Sequence, residues 1–140
     1  MSYAGDLEWI NDYVGVPYVV NGRDRAGWDC WGLVLAVYRD RLALELPDWR
    51  RPEPFGLAAQ IRAFGEAWHD VQGRARAQAL ETPEAFAVAL VARDRWPHHV
   101  GVVVGRGVLH CAAVNAGTVY DPVRRFLKLY SGVSWWRWLH

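Results

Sequence analysis

Cysteine and histidine are the residues of this chain best suited to nucleophilic chemistry. Cys30 lies in the segment Gly27-Trp28-Asp29-Cys30-Trp31-Gly32-Leu33-Val34. A thiol attacks only as thiolate, and its ordinary pKa lies about 1.5 units above neutral. The start of a helix favours a negative charge, and its N–H groups can hold an oxyanion. Cys30 is therefore a candidate nucleophile, with Gly32 leaving space for a substrate chain. The alternative is a small buried apolar residue.

A nucleophilic cysteine needs an imidazole base, which needs a partner that fixes its tautomer. A two-residue type II′ turn at Gly105-Arg106 would place His110 opposite Gly101. His99 and His110 would then share one face as diagonal neighbours, roughly 7–8 Å apart. This register predicts His99 as the base and His110 as its partner, with His98 on the other face. A three-residue turn would separate the pair.

A metal site is a second interpretation of the histidine-rich segment. Zinc accepts ligands such as His98, His99, His110 and Cys111. Strand alternation divides these four residues between two faces, which argues against a metal. We expect no metal and no cofactor, and we expect Cys111 to be a buried structural thiol.

The elements that must position these residues follow from the spacing of apolar side chains. Asp29 is predicted to cap a helix that runs to about Arg41. The buried face of this helix is marked by Leu33, Val34, Val37 and Tyr38. Further helices are expected over residues 3–13 and 56–69. Strands are expected over 86–92, 99–104, 108–114, 118–119 and 135–138. Helices first and strands second predict an α+β fold.

Composition narrows the classes of function. A chain of 140 residues fits a single domain, residues 1–140. A formal net charge of +1 without a basic stripe argues against nucleic acid as a ligand. No long apolar run predicts a membrane span. The first residues lack the basic and apolar parts of a signal peptide, so we expect synthesis in the cytoplasm without one.

The nine tryptophans are unusual for a chain of this length. Alternation places Trp136 and Trp138 on one face of a strand and Trp135 on the other. At least one of these rings is therefore expected to be exposed or covered by a partner. Trp96, beside Pro97, is a candidate for lining a substrate groove.

Five short segments of the chain together form a specific motif, although each alone is weak. They are Gly15-Val16-Pro17-Tyr18, Asn21-Gly22-Arg23-Asp24, Asp29-Cys30-Trp31-Gly32-Leu33-Val34, His99-Val100-Gly101-Val102 and Leu109-His110. Their order and spacing resemble the NlpC/P60 family of papain-like cysteine peptidases. Residues 22–25 and the Trp after Cys30 look most like the phage branch of that family. This branch comprises cell-wall peptidases of phage tails and of tail-like gene transfer agents.

The resemblance implies a papain-like fold in which a helix bearing the cysteine packs on a small antiparallel sheet. It implies that Cys30 is the nucleophile, His99 the general base and His110 the residue that orients it. It places Tyr18 near the nucleophile, where it would help to hold substrate, and Trp31 and Trp96 are further candidates for substrate binding. The implied substrate is the peptidoglycan stem peptide, cleaved between D-γ-glutamyl and the diamino acid.

The phage branch implies tail hub or baseplate proteins as partners. The protein would act at the tail tip, on the cell wall of the target cell, and help DNA to pass. An alternative, prompted by the surplus of tryptophan, is a structural tail component in which catalysis is dispensable. An intracellular amidase or acyltransferase is a third reading, which we rank lower. The chain departs from the family at Glu84-Ala85, where a Gly-Asp pair is usual before the strand of the catalytic histidine.

Overall fold

The computed structural model describes residues 7–50, 65–66, 68–70, 77–94, 96–115 and 117–139. The protein has the predicted α+β fold, with a helix packed on an antiparallel sheet. The first half contains a 3₁₀ helix, a two-stranded ribbon and the helix that begins at the cysteine: Glu8–Asp12, β1 (Arg23–Asp24), β2 (Gly27–Trp28) and the cysteine helix (Cys30–Leu42). The second half contains the sheet and one short helix: β3 (Ala77–Leu80), β4 (Val88–Arg93), β5 (Trp96–Val104), β6 (Gly107–Ala112), β7 (Gly117–Pro122), the C-terminal helix (Val123–Leu129) and β8 (Val133–Trp138).

The six strands pair in the order β3-β8-β4-β5-β6-β7, and every pair is antiparallel. Strands β4 to β7 follow one another as a meander, and β8 returns to pair with β4 on the far side of the meander. Strands β5 and β6, which carry His99 and His110, therefore lie inside the sheet with a partner on both sides. Such strands are held in register along both edges.

The cysteine helix covers one face of the sheet. Its first turn is capped by Asp29, whose carboxylate accepts from the Gly32 N–H at 2.8 Å. It ends at Leu42, and the next residue, Ala43, has left-handed backbone angles. The predicted buried face is confirmed, since all four of its side chains are inside: Leu33, Val34, Val37 and Tyr38. Burying each Val or Leu contributes about 1.5–3 kcal/mol, so this contact holds the helix on the sheet.

The C-terminal helix covers the opposite face. Its Phe126 is fully buried in a second apolar layer with Val103, Val108 and Trp135. The Val123 N–H donates to the carbonyl of Arg106, which ties the start of this helix to the β5–β6 turn. This helix has only seven residues and a single buried side chain, so no periodic pattern predicted it.

The two layers account for the tryptophans of β8. Trp135 packs on the side of the C-terminal helix and Trp138 on the side of the cysteine helix, as the predicted alternation requires. Both rings are buried. Trp136 is half-buried and meets Trp68 edge to face, with ring centroids 5.7 Å apart. The expectation that at least one ring of this strand is exposed or covered by a partner can apply only to Trp136, because the chain itself covers Trp135 and Trp138.

Several predicted boundaries shift for local reasons. Strand β4 begins at Val88 instead of Phe86, because Phe86 has a φ of 63°, which no strand residue adopts. Strand β6 ends at Ala112 and a 3₁₀ turn replaces its predicted end. Strand β7 extends to Pro122, beyond the predicted 118–119. Strand β3 lies in a polar segment where none was predicted.

The predicted helices outside the core fall partly beyond the described residues. Of the helix expected over 3–13, the structure shows the 3₁₀ helix Glu8–Asp12, and residues 1–6 lie outside the described part. Of the helix expected over 56–69, residues 65–66, 68 and 69 are helical, as is residue 70, and the remainder also lies outside it. In the described part of the chain, no helix is long and apolar enough to cross a bilayer.

Candidate active site

The start of the cysteine helix is fixed by the loop that precedes it. Arg23 donates to the carboxylate of Asp29 at 2.9 Å, to the Gly22 carbonyl at 2.7 Å and to Asp48 at 2.7 Å. Asp29 is almost fully buried, and its second oxygen accepts from the Asn21 N–H at 2.9 Å. A buried carboxylate needs such partners. The segment around Arg23 thus has a structural role beside Cys30.

Gly32 is required by this loop. A Cβ at position 32 would lie 2.5 Å from the Gly22 carbonyl oxygen and 3.1 Å from the Arg23 guanidinium. Our expectation that Gly32 leaves space for a substrate is therefore wrong, because the protein's own loop fills that space. The Gly32 N–H is also engaged, since it donates to the Asp29 cap.

The predicted hairpin register is confirmed. Val104 pairs with Gly107 and Gly101 with His110, and Gly105 has a φ of 58°, as the first position of a type II′ turn requires. His99 Nε2 lies 3.0 Å from His110 Nδ1, so the two rings share a hydrogen bond. A Cβ on Gly101 would lie 2.9 Å from the Cβ of His110. A glycine at 101 lets the two rings meet.

Asp121 continues this chain of contacts, and our sequence analysis missed it. Its Oδ2 lies 2.8 Å from His110 Nε2, and its Oδ1 forms an ion pair with Arg125 Nε at 3.1 Å. Asp121 pairs with Val108, two residues from His110, so the diagonal step that joins the histidines is repeated across β6 and β7. Each step also spans eleven residues of sequence. A predicted strand that ran two residues further, to Asp121, would have placed it beside His110.

Two aromatic rings enclose the histidine pair. Phe126 meets His110 edge to face, with centroids 4.9 Å apart. Tyr130 stacks on His99 at 5.1 Å. Burial lowers the pKa of His110, and the nearby Asp121 opposes that change. His110 is therefore a neutral ring at neutral pH.

Cys30 is 1% exposed and begins the helix that packs on β5 and β6, the two strands that carry the histidines. Burial raises the pKa of Tyr130, and negative charge on Asp121 and on Cys30 raises it further. The structure brings together the helix start, the two histidines and Asp121.

Cys111 has a different environment. Burial raises its pKa to about 11, and its thiol donates to the Trp28 carbonyl at 3.4 Å. It packs in the apolar layer beneath the cysteine helix. Cys111 is thus a buried thiol, as predicted.

The three residues predicted to bind substrate lie in different surroundings. Tyr18 is half-buried. Its backbone forms an isolated β-bridge with Trp28, two residues before Cys30. Trp96 is 38% exposed at the first position of β5. Trp31 is 2% exposed, and its indole donates to the Pro47 carbonyl at 2.8 Å. Trp31 therefore supports the fold from inside, which is a correction to its predicted place at the substrate.

His98 does not join the histidine pair. Val91 pairs with His99 and Ala92 with Pro97, so His98 is the extra residue of a bulge in β5. It is half-buried, and burial together with Arg93 lowers its pKa. Within the described ranges, no three His, Cys, Asp or Glu side chains are grouped as metal ligands.

Comparison with known proteins assigns the family. No curated protein matches the chain. The crystal structure of the NlpC/p60 domain of the peptidoglycan hydrolase SagA matches with a TM-score of 0.60, at 17% identity over 97% of each chain, which shows a shared fold. The model of the NlpC/P60 family matches residues 15–125, a range that runs from the Pro-Tyr segment past Asp121. The chain therefore belongs to the NlpC/P60 family.

Proposed function

We propose that this chain is a cysteine endopeptidase that cleaves stem peptides of bacterial peptidoglycan with Cys30, His99 and His110. The observation that carries the proposal is the hydrogen-bonded His99–His110 pair on the two strands against which the helix that begins at Cys30 packs. Membership of the NlpC/P60 family supports the reaction class. The match to the domain of a peptidoglycan hydrolase supports the substrate.

The chemistry proceeds by acyl transfer. His99 takes the thiol proton, and the thiolate of Cys30 attacks the carbonyl carbon of the scissile amide. The tetrahedral intermediate collapses, the C–N bond breaks, and His99 returns the proton to the leaving amine. Water, deprotonated by His99, then hydrolyses the thioester and restores the thiol. His110 holds the ring of His99 during both steps.

The surroundings of the helix start indicate which residues meet the substrate. Tyr18 and Trp96 retain accessible surface, whereas Trp31 is packed inside. We therefore assign substrate contact to Tyr18 and Trp96 and a supporting role to Trp31.

Digestion of purified peptidoglycan tests the activity. We expect the protein to release fragments cut between D-γ-glutamyl and the diamino acid, identified by mass spectrometry. Cys30→Ala should abolish release, because no other thiol can take its place. Cys111→Ala is the matched control and should retain activity. Intact stem peptides after incubation with a folded wild-type protein would contradict the proposal.

The setting of this activity is proposed from the sequence resemblance alone. Residues 22–25 and Trp31 resemble the phage branch, so we place the protein at the tail tip of a phage-like particle, bound to tail hub or baseplate proteins. There it would open the target cell wall for DNA. Purified particles should contain the chain, detected by mass spectrometry and by antibody labelling at the tail tip. Particles that lack it would refute this setting.

The alternative of a purely structural tail component was prompted by tryptophan rings that could dock on a partner. Trp135 and Trp138 are buried within the chain, and Trp136 is half-buried. Infectivity of particles that carry Cys30→Ala separates the two functions, since only the enzymatic one requires the thiol.

A further inference from the structure

A carboxylate stands at the far end of the histidine pair. Asp121 lies on β7 and contacts His110, and His110 in turn contacts His99. His110 is fully buried, and the side chain of Asp121 is 14% exposed. Phe126 and Tyr130 pack around the rings, so little water competes for these hydrogen bonds. Such second partners orient a ligand or base through the first.

The direction of each hydrogen bond follows from the carboxylate. Asp121 forms an ion pair with Arg125, and a carboxylate can only accept, so His110 Nε2 donates to Asp121 and carries a proton. A neutral imidazole has only one N–H, and His110 Nδ1 is then an acceptor. It accepts from His99 Nε2, at 3.0 Å. The nitrogen left without a proton on His99 is Nδ1.

We propose that Asp121 is a positioning residue that fixes the tautomers of His110 and His99, so that His99 presents Nδ1 as the base for Cys30. The catalytic part of this inference rests on the proposed function, whereas the assignment of a proton to Nε2 of each ring does not. Once His99 takes a proton, the positive charge is shared along the chain toward Asp121. The charged or titratable groups around the pair are Asp121, Arg125, Tyr130 and Cys30.

Nuclear magnetic resonance of the imidazole nitrogens shows which nitrogen of each ring carries the proton, and it needs no substrate. In the wild-type protein at neutral pH, both rings should show a protonated Nε2 and an unprotonated Nδ1. A protonated Nδ1 on either neutral ring would overturn the proposal. This measurement uses the native protein, so it does not depend on the folding of a variant.

The variant Asp121→Leu removes the acceptor at similar volume. His110 should then exchange between tautomers. The kcat for a soluble stem peptide should fall by about tenfold to a hundredfold with little change in KM. A loss of this size is a part of the rate that a positioned base contributes. Arg124→Ala, an exposed change on the neighbouring helix, is the control and should change neither. Unchanged tautomers in folded Asp121→Leu would refute the inference. If the wild type cleaves no peptide, the proposed function fails, and the tautomer result stands by itself.

Discussion

At the scale of single residues, the two buried cysteines of this protein differ in their place in the fold. Cys30 begins the helix that packs on the strands of the proposed base and its partner, whereas Cys111 lies within β6 and donates to a carbonyl. The residue type is the same, so the difference comes entirely from what surrounds each sulfur. A chemical probe of thiolate should separate the two.

Alkylation by iodoacetamide at pH 7 should modify Cys30 and spare Cys111 in the native protein. With a pKa of about 11, Cys111 is thiolate in only about one molecule in ten thousand at this pH. Mass spectrometry of the digested protein gives the site. Cys30→Ala should stay unmodified until urea is added. Rapid alkylation of Cys111 in folded Cys30→Ala would contradict this assignment of the two thiols.

At the scale of elements, one hairpin sets the distance between the proposed base and its partner. The two-residue turn fixes the register of β5 and β6, and Gly101 lets the diagonal pair of histidines meet. The helix start is fixed separately, by the contact of Arg23 with Asp29. Both arrangements depend on a glycine. The missing Cβ of Gly101 leaves room for His110, and that of Gly32 leaves room for the loop that contains Arg23.

Gly101→Ala should lower kcat strongly while the free energy of unfolding falls only moderately. The added methyl would lie 2.9 Å from the Cβ of His110 and 2.7 Å from Val108, so His110 must move away from His99. Overpacking of this kind costs about 1–3 kcal/mol. We expect kcat to fall at least about tenfold, since the positioned base contributes about a hundredfold or more. Peptide cleavage and urea unfolding measure the two effects.

Leu90→Ala provides the comparison for Gly101→Ala. Leu90 is buried in the apolar layer beneath the cysteine helix. Replacing it with Ala should lower the free energy of unfolding by about 2–5 kcal/mol. It leaves the histidine pair in place, so the folded fraction should keep its kcat. Equal loss of kcat in the two variants would show that instability, and not the displaced ring, limits the reaction.

At the scale of the whole molecule, stability should depend on pH through two histidines. Burial is the main cause that lowers the pKa of both His98 and His110 below the ordinary value of 6.5. Below that value the unfolded chain binds more protons than the folded chain, so the free energy of unfolding falls as the pH drops. The contribution is present above about pH 6.5 and is lost as the pH falls toward the lowered folded values.

Urea unfolding at pH 7 and pH 5 measures this dependence. We expect the wild type to lose stability between the two values, and His110→Gln to lose less, because one of the two histidines whose pKa is lowered by burial is gone. His98→Gln should reduce the dependence in the same direction. The interval lies above the ordinary pKa values of the acidic residues, so their titration adds little. A dependence that is unchanged in both variants would contradict the burial assigned to these rings.

Much of this molecule could be predicted from local pattern. The cysteine helix, its Asp29 cap and the β5–β6 register follow from spacing and turn chemistry that act within a few residues. Asp121 and the C-terminal helix were missed, because Asp121-Pro122 reads as a turn and a seven-residue helix has no visible period. The apolar layer that covers Trp135 was not predicted either. Packing partners distant in sequence leave no local signal.

The meander has a consequence for the order of folding. His99, His110 and Asp121 are separated by eleven residues at each step, so a chain that forms only β5, β6 and β7 already contains both contacts. Closing such short loops costs little entropy, whereas Cys30 must be brought from the other half of the sequence. We expect a partly folded intermediate to hold the base without its nucleophile. The enzyme would then gain its reactivity only when the last contact of its folding pathway forms.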